Sequence, residues 1–190
     1  MRFHYAGKFN GDPATLKNQR MVRGATEFKE PSIKGLALVA NGISIVLLLC
    51  LIAIGAWRSN GAKFNSLGFA LSIVTLLPHE YLHALCYQED GYFYTYFSRG
   101  MIFVVGQEDM SKARFIFMSM LPNLVFGFIP FILFLINPMW RVLGTLGTFA
   151  ISFGVGDYIN AFNALIQMPR GAVTFLYRQH SYWYIPQHED

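Results

Sequence analysis

"SLGFALSIVTLLPHEYLHALCY" (residues 66–87) begins as an apolar run and then sets His79, Glu80 and His83 within five residues. Whether this stretch is one membrane-crossing helix or something shorter decides the fold, because three further apolar stretches share the chain. Ionisable side chains at the centre of a membrane helix cost roughly 2.5–3.5 kcal/mol each, so a cluster of them there points to function.

The surrounding composition favours lipid. The chain has 190 residues, 54% of them hydrophobic and only 14% charged, with 18 Phe and 10 Tyr. Ordinary soluble domains carry about 25% charged residues. Four apolar segments, near 35–57, 65–88, 113–136 and 140–166, each reach the roughly 20 helical residues that cross a bilayer core. The expectation is an all-α, multi-pass protein of the cell membrane with about four transmembrane helices over residues 35–166. A polar segment, 1–34, precedes them and a tail, 167–190, follows. Lys and Arg concentrate in 1–34, in or beside loop 89–114 and in the tail, leaving Arg58, Lys63 and Arg141 on the other side. That bias predicts cytoplasmic N- and C-termini.

Other classes find little support. The net charge is +4, but no basic stripe with interleaved aromatics marks a nucleic-acid surface. Cys50 and Cys86 both lie in apolar runs and imply no disulfide framework. In loop 89–112, "YFYTYF" and "MIFVV" are β-prone runs separated by Ser98-Arg99-Gly100, which predicts a β-hairpin between the second and third spans. Such a hairpin is either an aromatic belt at the membrane surface or a sheet edge that receives an extended peptide.

His79 and His83 are spaced i, i+4, so a helix presents both imidazoles on one face, with Glu80 beside the first. HExxH on a helix is the zincin pattern, in which two histidines bind zinc and the glutamate acts as base towards a water that the metal activates. Metal binding offsets the cost of placing such groups in an apolar helix. A catalytic zinc needs a third protein ligand. Asp157 in "FGVGDYINAFN" is the first candidate, because it lies as far before the polar Gln167 as His79 lies before Glu89. Cys86 competes from the same helical face as the histidines. His4, His180 and His188 lie in polar termini. Pro78 either kinks its helix for packing or opens a water path. Asn123 and Asn160 are candidate substrate contacts, although asparagines, Asn163 included, also tie membrane helices together.

With HEYLH in one apolar helix and Asp157 in a later one, the chain resembles site-2-protease-type membrane metalloproteases. The resemblance implies that His79 and His83 are zinc ligands, Glu80 the catalytic glutamate and Asp157 the third ligand. The chain departs from that pattern in reading Gly156-Asp157-Tyr158 where Leu-Asp-Gly is usual, and in lacking an Asn-x-x-Pro approach. A closer resemblance is to a zincin peptidase family of small bacterial four-span proteins, which share the HExxH span, a "GD" in the last span and a tail like "QMPRGAV".

The expected activity is hydrolysis of peptide bonds in or near the membrane, with one Zn²⁺ per chain and a membrane-embedded or membrane-proximal peptide as substrate. The rival readings are a non-proteolytic zinc-binding sensor or scaffold, and a transporter or redox protein that uses the histidines otherwise.

Overall fold

A computed structural model of the chain describes residues 2–17, 20–61, 64–97 and 101–187. The elements run β1 (Phe3–Lys8), β2 (Thr26–Glu27), α1 (Ile33–Arg58), α2 (Ser66–Val74), α3 (Leu76–Leu85), β3 (Gly91–Tyr96), β4 (Met101–Gly106) and β5 (Met110–Ser111). There follow α4 (Lys112–Asn123), a π-helical turn (Leu124–Phe128), α5 (Ile129–Ile136), α6 (Arg141–Phe153), α7 (Val155–Gln167), β6 (Val173–Tyr177) and β7 (His180–Tyr184). The chain divides into two compact units, and the division falls inside α3, α4 and α7.

One unit, Glu30–His79 with Ser119–Asn160, is helical. Its middle is α6, which packs against α1, α2 and α5. The small residues of "GTLGT" (144–148) are buried and let neighbouring backbones come close, as membrane helices do. Gly147 is obligatory there: a Cβ would meet the backbone of Phe131 at 2.6 Å and the Gly127 carbonyl at 2.7 Å. Phe131, Phe134 and Ile151 form the core beside them. At its C-terminal end α1 caps α5, with Arg58 Nε donating to the Leu135 carbonyl at 2.7 Å.

The other unit, Met1–Lys29 with Glu80–Met118 and Ala161–Asp190, contains two β-sheets. In the first, β1 runs parallel to β3, and β3 pairs antiparallel with β4. The linking residues 98–100, where a turn is predicted, lie outside the described residues. The second sheet has the order β2-β7-β6-β5, so it draws on both terminal segments. Phe9, Leu16, Tyr94 and Val105 form one core of this unit, and Phe28, Ala164, Met168 and Ala172 another.

The chain is therefore mixed α/β, and the all-α four-span expectation is overturned. Among the described residues two helices are long and apolar enough to cross a membrane: Gly35–Arg58 and the continuous run Lys112–Ile136. A third counts only if α6 and α7, bent by 52° at Gly154, act as one span. The predicted span 65–88 is broken at Thr75 instead. Pro78 has no N–H to give the Val74 carbonyl, so α2 ends there and Pro78 falls in the first turn of α3, where proline is tolerated. The two apolar helices point to association with a membrane; the apolar stretch of α1 is only 6% buried.

Candidate metal centre

His79, Glu80 and His83 all lie on α3. One ligand atom from each falls within 4.8 Å of the other two. Helical periodicity puts His79 and His83 on one face, as residues i and i+4, and Glu80 stands three residues before His83. The C-terminal end of α3 is held by Arg114, whose Nε donates to the Cys86 carbonyl at 3.0 Å. The same guanidinium pairs with Glu108, whose other carboxylate oxygen accepts from the backbone N–H groups of Gln88 and Glu89 at 2.8 and 2.7 Å.

Asp157 stands in the first turn of α7, where the helix dipole suits a negative charge. Its Oδ2 lies 3.0 Å from His79 Nε2. Two donors bound to one tetrahedral zinc at about 2.0–2.1 Å lie about 3.3 Å apart, so this imidazole–carboxylate pair has nearly the separation a shared zinc requires. The donor set, two imidazoles and carboxylates, also suits that ion. The residues present therefore fit a zinc site.

Each of two ligand candidates is held from behind. His83 Nδ1 lies 2.9 Å from the Met118 carbonyl. A carbonyl only accepts, so Nδ1 carries a proton, and in the neutral ring Nε2 is then the lone-pair nitrogen. Asn123, 1% exposed, donates from Nδ2 to Asp157 Oδ2 at 2.7 Å. It can approach because residue 154 is glycine: a Cβ there would overlap Asn123 Oδ1. The Tyr158 hydroxyl donates towards Asn123 Oδ1 at 3.3 Å and the Ile151 carbonyl at 3.0 Å.

The remaining candidates stand elsewhere. The Cys86 thiol donates to the Leu82 carbonyl at 3.5 Å, and burial raises its pKa, which opposes the thiolate a metal needs. Asn160 lies one turn beyond Asp157 on α7, half-buried, and Asn163 accepts from Gln167 Nε2 at 3.3 Å. His4 stacks on Tyr92 with ring centroids 5.3 Å apart, and His180 Nδ1 sits 3.1 Å from Glu27. His188 lies outside the described residues. Sequence reasoning did not reach Met118 or Tyr158. A backbone carbonyl leaves no trace in residue identity, and the only hint of Met118 is the proline four positions after it.

Residues 72–173, more than half of the chain and including His79, Glu80, His83, Asn123 and Asp157, match the family described as "Putative zincin peptidase". The chain belongs to this family. Searches of curated proteins and of solved structures each returned no match. Membership implies zinc, and the group on α3 supplies residues able to bind it.

Proposed function

We propose that this protein is a membrane-associated zinc peptidase of the site-2-protease type, acting on peptide segments in or beside the bilayer. The observation that carries the reading is the pairing of an HExxH cluster on α3 with the Asp157 carboxylate 3.0 Å from His79. His79, His83 and Asp157 are the ligands, with one metal ion per chain. Bound there, zinc supplies Lewis acidity towards the scissile carbonyl and makes an attacking water more acidic.

Glu80 then acts as general base and general acid in turn. It takes a proton from the water as the new C–O bond forms, and gives it to the amine nitrogen as the C–N bond breaks. Peptide bonds within a helix are shielded from attack, so the substrate has to be extended at the cut. The strand β4 supports this step, since it is one of the two outer strands of its sheet among the described residues and offers an edge for strand addition. The membrane setting rests on the two long apolar helices.

The test is Glu80→Gln. The variant is expected to hold zinc as the wild type does, measured by elemental mass spectrometry on detergent-purified protein, and to lose cleavage of a membrane-tethered peptide. Cleavage that survives the substitution removes Glu80 from the mechanism.

A further inference from the structure

α4 carries two residues that a membrane helix does not need for its own stability, Pro122 and Asn123, side by side and both buried. The family match and the HExxH pattern leave both without a role. In an α-helix the N–H of residue 122 would donate to the carbonyl of residue 118. Proline has no N–H, so the Met118 carbonyl lacks its regular helical donor. A buried carbonyl without a partner is costly. The group that meets it is His83 Nδ1, at 2.9 Å. The next residue, Asn123, donates from Nδ2 to Asp157 Oδ2 at 2.7 Å and towards the Ser119 carbonyl at 3.5 Å, while its Oδ1 accepts from Tyr158. Only one amide orientation satisfies these neighbours, because the carboxylate and the Ser119 carbonyl accept and the hydroxyl donates.

We propose that the Pro122-Asn123 dipeptide is a positioning pair for the metal ligands. Pro122 leaves the Met118 carbonyl to His83, and Asn123 holds the Asp157 carboxylate, with Tyr158 steadying the amide. The proposal rests on the zinc reading above and adds the residues that orient its ligands. It assigns Asn123 to Asp157 rather than to substrate. The π-helical turn that begins at Leu124 belongs to the same device, since a break in the regular ladder next to a site lets side chains be re-aimed.

The two simpler roles make different predictions. A proline that serves only as a kink would, on replacement by alanine, alter helix packing without touching the tautomer of His83. An asparagine that only ties helices together would, on removal, lower thermal stability without touching zinc affinity.

The experiment measures zinc affinity by competition with a chromophoric chelator on detergent-purified protein, for the wild type, Pro122→Ala, Asn123→Ala, Tyr158→Phe and Asp157→Ala. Thermal stability of the metal-free forms and ¹⁵N NMR of the histidine rings are read in parallel. Loss of a group that orients a metal ligand typically weakens binding about 10- to 100-fold, and that is the expected loss for Pro122→Ala and Asn123→Ala. In Pro122→Ala the new N–H competes for the Met118 carbonyl, so the His83 ring signal shifts away from the Nδ1-protonated form while metal-free stability is kept or raised. Tyr158→Phe leaves the amide in place and gives a smaller, few-fold weakening.

Wild-type affinity in Pro122→Ala with an unchanged His83 signal overturns the proline's role. Wild-type affinity in both Asn123→Ala and Tyr158→Phe overturns that of the asparagine. Should either alanine variant fail to fold, Tyr158→Phe carries the decision, and wild-type affinity there counts against the proposal. If Asp157→Ala itself binds zinc as the wild type does, the ligand assignment is what fails; if it loses zinc while the other variants keep it, only the positioning pair fails.

Discussion

The two long apolar helices differ in what interrupts them. The first, α1, runs through "LVANGISIVLLLCLIAIGAW" without a proline; its membrane window is 6% buried, and Leu38, Val46, Leu49 and Trp57 are all exposed. The second, from α4 to α5, is 39% buried over its window and is broken by Pro122, Asn123 and a π-helical turn. Apolar composition alone ranks them nearly alike. The uninterrupted helix leaves its apolar surface exposed, and the interrupted one places Met118 and Asn123 against His83 and Asp157. In a chain this apolar, breaks in the pattern are a better guide to chemistry than the pattern itself.

That contrast is broken most severely from the buried helix. Phe134 on α5 is nearly buried, and its ring fills the space that a side chain at Gly144 would take. Phe134→Ala is expected to lower stability by about 3–5 kcal/mol, the range for emptying an aromatic site in a core, seen as a reduced midpoint of thermal unfolding in detergent. An effect as small as that of a truncation on α1 would mean the two helices are equally solvated by lipid.

The exposed helix gives the next test. Leu49 lies near the middle of α1 and is exposed. Leu49→Asp places a charge at lipid depth and is expected to cost about 2.5–3.5 kcal/mol of insertion, read as a shift of the protein out of the membrane fraction. Leu49→Ala is expected to leave that distribution unchanged. A charged variant that stays membrane-bound would remove α1 from the bilayer.

Gly154→Ala comes third, at about 1–3 kcal/mol, the usual cost of overpacking. The added methyl displaces Asn123, so zinc affinity falls alongside thermal stability. Loss of stability with affinity intact would separate the bend between α6 and α7 from the metal centre.

The sequence disclosed these regions unequally. The clustering of His79, Glu80 and His83 could be read ahead because it follows from helical spacing, and the nearness of Asp157 to His79 because the two stand equally far from the polar end of their apolar segments. The strands were less so. β2 and β5 are two residues long, too short for any alternation to register, and β1 pairs in parallel with β3 far along the chain. The break at Thr75 shows in the sequence only as Pro78, which reads either as a packing kink or as a water path within one span; α2 ends at Val74, four residues before it. The support behind His83 was hidden because a backbone carbonyl has no letter of its own.

The smallest effect concerns how α1 is held. Ser44 Oγ donates to the Ser152 carbonyl on α6 at 2.6 Å. Hydrogen bonds between membrane helices are worth about 0.6 kcal/mol on average, because the separated helices also find partners. Ser44→Ala is therefore expected to lower the unfolding midpoint slightly, by the equivalent of about 0.5–1.5 kcal/mol. Leu38→Ala, at a position 76% exposed, should leave it unmoved. If both variants match the wild type, α1 is held by shape and lipid alone. If Ser44→Ala falls by as much as Phe134→Ala, this helix is fastened as specifically as the interrupted one, and its exposure is no measure of its independence.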